Sequence, residues 1–373
     1  MDFDFTEDQA SLRDAVARWV DKGFSFERRH ALAQAGGHTR EVYRELAELG
    51  LIGLVVADEH GGMGMGTVEA MVVMEELGRG LVNAPYLHGA LVAPALLAAA
   101  SAELQARWLP KVASGEALVV LAHQERGARW RHDQVNTRAV EHGFEWRLDG
   151  VKGVVPAGDE ADAFIVPAHT PHGIRLFLVE KAAAQVRGYP TQDGARAAEL
   201  TLAGSPGQLI TADGLVALER GLDVGIAAVC AEAVGLMDRL TALTVDYMNT
   251  RKQFGVTLST FQALRHRIAD VKMELELARS MSFYATLKLG EPAAQRRRAL
   301  SQAKVQIGQS ARFVGQQCVQ LHGGIGVTDE YVGSHYFKRL TMVEMQFGDT
   351  LHHLGEVTER MQEIGRASCR ERV

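Results

Sequence analysis

The chain has 373 residues, of which 47% are hydrophobic and 23% charged, with 40 Lys+Arg against 46 Asp+Glu and a formal net charge of −6. This is the composition of a globular chain of two or three domains, which excludes a disordered, collagen-like or disulfide-stapled protein and, lacking a basic excess, a general nucleic-acid binder. The most apolar stretch, residues 89–102, is too short for a bilayer and is interrupted by Pro94, and MDFDFTEDQ has no apolar signal core, so a cytoplasmic chain without membrane insertion is expected.

Proline placement divides the chain: none occurs in residues 1–84, eight fall from Pro85 to Pro206, and only Pro292 follows. Long helices exclude interior proline. TEDQASLRDAVARWV reads as a helix behind an N-cap at Thr6, followed by REVYRELAELGLIGL. EHGGMGMG, residues 59–66, lacks the Lys and the GK[ST] ending of a phosphate loop and reads as a structural turn before the helix TVEAMVVMEELGRGL. In the middle, GFEWRLDGVKGVV, ADAFIVPA and GIRLFLVEK are short β-branched runs between turns, which predict an antiparallel β-domain. From about Leu215 the helical period returns through Glu219–Thr250, Leu258–Leu289 and Gln295–Leu321, with a last helix from about Thr350: a bundle of long antiparallel helices. No GxGxxG follows a strand, so a Rossmann domain is not supported and any nucleotide must be held another way.

Cys230, Cys318 and Cys369 form no CxxC pair, so neither a zinc site nor a disulfide framework is indicated. The first two read as buried apolar residues, while Cys369 lies in GRASCRERV, residues 365–373, which reads as an appended segment outside the fold. His352 and His353 are adjacent on a helix and do not share a face, so no metal site is expected of them.

LGLIGL with EHGGMG (Leu49 to Gly64), MEELGR (Met74 to Arg79), WLPKVASGE (Trp108 to Glu116), RKQFG (Arg251 to Gly255), Phe261-Gln262 and QLHGGIG (Gln320 to Gly326) follow one another in an order that resembles the acyl-CoA dehydrogenase family. The resemblance implies an N-terminal helical domain (1–115), a middle β-barrel (116–212) and a C-terminal four-helix bundle (213–364), assembled as a tetramer with FAD between subunits. It implies α,β-dehydrogenation of an acyl-CoA substrate: a carboxylate takes the α-proton, flavin N5 accepts the β-hydride, and an electron-transfer flavoprotein reoxidises the flavin. It also implies cofactor roles for Arg251, Gln253, Phe254, Gln262, Gln320, Gly323 and Gly324, with Thr350 near the adenine end. Each motif has a plainer reading beside this one. Gly255 would cap a helix whose last turn carries Arg251 and Lys252, and the glycines after Gln320 would stop the next helix. His322 is expected to pack.

Three departures from the family pattern stand out. The family's Tyr-Glu-Gly-Thr loop corresponds to QFGDT, Gln346 to Thr350, where the Glu position falls on Gly348 and the neighbouring acid is Asp349. A second family position for the base, early in the first bundle helix, holds Gly225 and Ile226. Asp349 is therefore the candidate proton abstractor, and its plainer reading is a helix N-cap. The flavin strand of the middle domain keeps only Glu125 and Gly127, and the family's Trp-Ile-Thr becomes Val154, Val155 and Pro156, the last without a hydroxyl or N–H to offer. A chain that keeps the pyrophosphate half of a shared site while losing the isoalloxazine half resembles the small subunits of heteromeric enzymes of the pimeloyl-CoA dehydrogenase type, a likeness carried also by GYPTQDG, CAEAVG and HYFKRLTM. That implies a dicarboxylyl-CoA or another bulky thioester as substrate, in a homo- or hetero-tetramer. A non-catalytic partner subunit and a flavin-dependent monooxygenase on the same fold are the alternatives.

Overall fold

The computed structural model describes residues 5–143 and 145–370, with side chains up to residue 359 and at 361. Six helices come first: α1 (Glu7–Gly23), α2 (Phe26–Gln34), α3 (Arg40–Glu48), α4 (Thr67–Arg79), α5 (Ala93–Leu97) and α6 (Ala102–Ala113). Seven strands follow: β1 (Val119–Leu121), β2 (Arg138–His142), β3 (Glu145–Pro156), β4 (Ala163–Thr170), β5 (Gly173–Glu180), β6 (Gln185–Pro190) and β7 (Arg196–Thr211). Then come α7 (Gly214–Thr250), a small hairpin of β8 (Lys252–Gln253) and β9 (Val256–Thr257), α8 (Gln262–Lys288), α9 (Ala293–His322), α10 (Val332–Met345) and α11 (Thr350–Arg370). The order is helical, sheet, helical, as expected. These residues form two compact units, one from 27–70 and 83–225, the other from 5–26, 71–82 and 226–370.

The first of these units holds the sheet. Its strands pair in the order β4-β2-β3-β7-β5, and β5 returns to β4, so the path closes into a barrel; β6 pairs with β7. The expectation of an antiparallel domain needs correcting: β1 runs parallel to β4, and β2 meets β4 in parallel at Arg138 and His169. Phe164, Ile165 and Val166 of β4 are all buried, as in a strand covered on both faces, which removes the alternation that would have revealed it. Glu160 accepts the backbone N–H groups of Thr39 and Arg40 at 2.8 and 3.0 Å, so a distant carboxylate caps α3. The EHGGMGMG segment is a turn folded back on LGLIGL: Met63 and Met65 donate N–H to Gly53 and Leu54 at 3.0 and 2.8 Å. A Cβ on Gly62 would lie 2.0 Å from the Val56 carbonyl oxygen, so backbone fills the space of a side chain there.

In the second unit Thr6 caps α1 through a reciprocal capping box with Gln9. The four long helices expected are present as α7, α8, α9 and α11, and α10 is an addition that HYFKRLTM concealed. Cys230 and Cys318 are buried and unpaired, whereas the Cys369 side chain lies outside the described ones. The backbone of α11 runs on to Arg370, so residues 365–370 are helical. Two glycines let α4 and α7 cross with their backbones in contact. A Cβ on Gly235 would lie 1.8 Å from the Glu75 carbonyl oxygen, and one on Gly78 would lie 2.3 Å from that of Glu232. Charged groups lock the crossing: Arg339 of α10 clasps the Glu232 carboxylate at 2.6 and 2.9 Å, and Arg279 of α8 donates to Glu75 at 2.5 Å. Because the obstacle at Gly235 is backbone, Gly235→Ala should lower unfolding free energy by about 2 kcal/mol or more in chemical denaturation; an unchanged transition would mean that the two helices can part without loss.

Candidate functional site

The end of α7 presents RKQFG as a hairpin rather than a simple helix stop. Lys252 pairs with Thr257 and Gln253 with Val256, leaving Phe254 and Gly255 at the tip with φ of +53° and +83°. Both central residues are left-handed, as a two-residue turn between twisted strands requires, and Gly255 adopts this freely whereas Phe254 does not. The Phe254 ring is 94% exposed and meets Phe261 edge-on at 6.3 Å, which brings the tip beside Gln262, the first residue of α8. Arg251, Gln253 and Gln262 are exposed, and Arg251 forms no ion pair among the described residues.

The QLHGGIG segment closes α9. Gly323, at φ +66° and ψ −142°, turns the chain and donates its N–H to the carbonyl of Gln320. A Cβ on Gly323 or Gly324 would meet nothing within 4 Å, so an exposed, open backbone follows the helix end. His322 beneath it is buried and packs, as expected. Its Nδ1 donates to the Cys318 carbonyl at 2.8 Å, which leaves Nε2 to accept from the Tyr331 hydroxyl at 2.7 Å. Burial pushes its pKa down, and the ring lies between those of Tyr247 and Tyr331 at 4.7 and 4.9 Å. Tyr247 stands one helical turn before Arg251, so this stack joins RKQFG to QLHGG.

Between α10 and α11 the chain turns through Phe347 and Gly348, at φ +57° and +116°. Asp349 is the N-cap of α11: its Oδ1 accepts the N–H of His352 at 2.8 Å. Thr350, the first residue of α11, donates its hydroxyl to Glu344 at 3.1 Å and sits against Gly308 of α9. A side chain at Gly348 would begin 2.5 Å from Cδ2 of His352 and 2.6 Å from Nε2 of His353. His353 is fixed there, with Nδ1 3.2 Å from the Ser301 hydroxyl and Nε2 3.0 Å from the Phe347 carbonyl. Burial first, then the neighbouring Lys304 ammonium, pushes the His353 imidazole down to about 2. Gly308 and Gly323 are 15 residues apart on α9, or about 22 Å at 1.5 Å per residue, so within one chain the 346–350 turn and the hairpin group occupy separate places.

In the barrel, Glu125 and Lys152 are a buried pair under the segment that departs from the family pattern. The Lys152 ammonium donates to Glu125 Oε1 at 2.6 Å and to the Pro167 carbonyl at 2.8 Å. Glu125 also accepts from the Asn136 N–H and from the N–H and hydroxyl of Thr137. Burial pushes the Glu125 carboxyl up, yet Lys152 and Thr137 outweigh it and hold it at about 2; burial brings Lys152 down to about 8. Gly127 turns the adjoining loop at φ +86°. Val154 is half exposed at φ +49°, Val155 is buried, and Pro156 pairs with Ala197.

Residues 6–116 match the acyl-CoA dehydrogenase N-terminal domain and residues 212–362 the acyl-CoA dehydrogenase C-terminal domain. The long-chain specific acyl-CoA dehydrogenase of Sus scrofa mitochondria is 30% identical over 322 residues, covering 80% of this chain and 74% of that one. The chain belongs to the acyl-CoA dehydrogenase family. Acyl-CoA dehydrogenase FadE27 of Mycobacterium tuberculosis is 28% identical over 98% of both chains. The ChsE4-ChsE5 complex of the same organism contains a chain of similar structure, with TM-score 0.84, 27% identity and 99% coverage of both chains.

Membership supports an oxidoreductase role in acyl-CoA dehydrogenation, with FAD as the cofactor. The hairpin group fits that cofactor: an exposed, unpaired guanidinium suits a pyrophosphate, an exposed phenyl suits a planar ring, and no Cβ obstructs the backbone at Gly323 and Gly324. Sequence reasoning did not single out Lys304, Glu232, Arg339 or Lys152. The signal for Lys304 was present, because its position in ALSQAKVQIG shares the buried face of α9 with Leu300, Ile307 and Ala311.

Two measurements probe these groups. Removing one partner of a buried ion pair strands the other, so Lys152→Met should cost about 3–5 kcal/mol of stability in denaturant; adding Glu125→Gln should recover part of it, and a double variant no better than the single would mean that the pair is not coupled. His353 stays neutral in the folded chain down to about pH 2, whereas the unfolded chain takes up that proton near pH 6.5. Its contribution is complete above pH 6.5 and is lost below it at about 1.4 kcal/mol per pH unit. Stability should therefore fall from pH 7 to 5.5, and His353→Gln should flatten the slope; an equal slope in both proteins would contradict this.

Proposed function

We propose that this chain is a subunit of an FAD-dependent acyl-CoA dehydrogenase, that it contributes the pyrophosphate half of a flavin site to a paired subunit, and that it carries no base of its own at residue 348. The observation that supports this most directly is the closed space at Gly348. Where the family pattern has the proton-abstracting Glu, the backbone is left-handed and the first side-chain atom would meet two histidine rings. His353 cannot yield readily, being held by Ser301 and Phe347. Asp349, one residue on, has a carboxylate oxygen already engaged by the His352 N–H in the first turn of α11.

The half of the site that would face a neighbour is in the opposite condition. Bound FAD supplies the two-electron acceptor that unactivated C–H bonds need. Arg251 would pair with its pyrophosphate, Gln253 and Gln320 would add amide hydrogen bonds, Phe254 would cover an apolar edge, and the Gly323–Gly324 backbone would admit close approach. Thr350, about 22 Å along α9, would then serve a different flavin from the one that Arg251 serves. The two unlike chains named in the ChsE4-ChsE5 complex make a paired assembly a reasonable parallel. The proton abstractor would come from the partner chain, and an electron-transfer flavoprotein would take the electrons. The substrate within this reading is an acyl-CoA with a long or bulky acyl group, a dicarboxylyl chain included.

A second reading keeps Asp349 as the base, favoured by its being the acid on the 346–350 turn. Co-expression with a candidate partner separates the two. The partner reading expects little flavin on the chain alone, one flavin per pair of unlike chains in the complex, loss of that flavin with Arg251→Gln, and unchanged dehydrogenation with Asp349→Asn. Asn caps a helix as well as Asp does, so loss of activity in Asp349→Asn at full flavin content would establish the second reading. One flavin per chain in the lone protein, bleached by acyl-CoA, would overturn the first.

A further inference from the structure

Lys304 lies in the middle of α9 with no exposed surface. Its ammonium donates to three carbonyl oxygens: Val343 at 3.1 Å, Glu344 at 2.7 Å and Gly348 at 2.9 Å. Three N–H donors thus meet three acceptors, so the charge is buried with its hydrogen-bonding capacity filled. Two of those carbonyls belong to the last turn of α10, where no intrahelical partner exists. The third belongs to the residue that stands at the family's base position. Ser301, one turn earlier on the same face of α9, holds His353, which in turn holds the Phe347 carbonyl. Gly308, one turn later, leaves the space that the Thr350 hydroxyl fills, since a Cβ there would lie 2.2 Å from it. Residues 301, 304 and 308 are therefore a template of one helix face, and the left-handed pair Phe347–Gly348 is shaped against it.

We propose that Lys304 is a positioning residue for the turn at the family's base position: by gathering the end of α10 and the Gly348 carbonyl onto one ammonium, it fixes the 346–349 turn and so sets where Asp349 and Thr350 stand. An unbranched apolar side chain of similar volume, such as that of methionine, would leave three buried carbonyls without donors. The turn would then open, and the cap that Asp349 makes to His352 would open with it. What the turn serves rests on the reading given above; the clamp itself does not, and the test needs no flavin.

Amide hydrogen exchange read by mass spectrometry on the purified full chain decides the matter. In Lys304→Met, peptides covering 346–353 should exchange about tenfold faster or more, while peptides of α8 stay within about twofold of the unsubstituted chain. Lys304→Gln, which keeps two N–H donors without the charge, should give an intermediate acceleration at the same peptides. Unchanged exchange at 346–353, or equal acceleration across α8 and the turn, would overturn the proposal in favour of a general stabilising role. So would failure of both variants to fold. Flavin content of the co-expressed complex tests the functional reading separately, so either can fail alone.

Discussion

The crossing of α4 and α7 is the constraint on which the helical unit is built. With Gly78 and Gly235 at the contact, each helix meets the other's carbonyl groups directly, and such an approach leaves no freedom of register. The surrounding ion pairs follow from that closeness. Glu232 has its carbonyl against Gly78 and its carboxylate on Arg339, so the residue that lines the crossing also fixes α10. Tyr336, on α10, donates to the Arg79 carbonyl at the end of α4 and returns the linkage to its start. The end of α10 is in turn where Lys304 takes hold. The 346–350 turn thus lies one helix away from a backbone contact that admits no adjustment.

Much of this was legible in the residues, and the limits are physical. The α-β-α order followed from proline placement, because a proline excludes itself from a helix interior whatever the tertiary context. The long helices followed from their apolar period. The parallel pairing of β1 with β4 was not legible, since a strand buried on both faces has no alternation and pairing partners are set by long-range contacts. α10 was hidden because HYFKRLTM carries polar residues whose burial depends on specific partners, such as Arg339 with Glu232.

The candidate site divides in the same way. Glycines at 255, 323 and 348 could be marked as turns from their type, but which way each turn opens is a matter of neighbours. Gly323 faces open space, and Gly348 faces two imidazoles. Asp349 could be read as cap or base from sequence, and the capping hydrogen bond is present. Lys304 was passed over because a lysine is ordinarily read as solvent-facing, whereas here three carbonyls replace the water. Glu125, retained in a segment that otherwise departs from the family pattern, is anchored by the buried Lys152 ammonium and by the Asn136 N–H, partners that its residue type alone did not reveal.

The tip of the β8–β9 hairpin carries one further consequence. Phe254 combines a backbone conformation disfavoured for a bulky residue with a phenyl ring left almost wholly in water. Each condition alone raises the free energy of the isolated chain, and covering the ring relieves the second. A lone copy therefore has an adhesive point at this tip, and its solubility and state of association will depend on whether a surface is present to receive that ring.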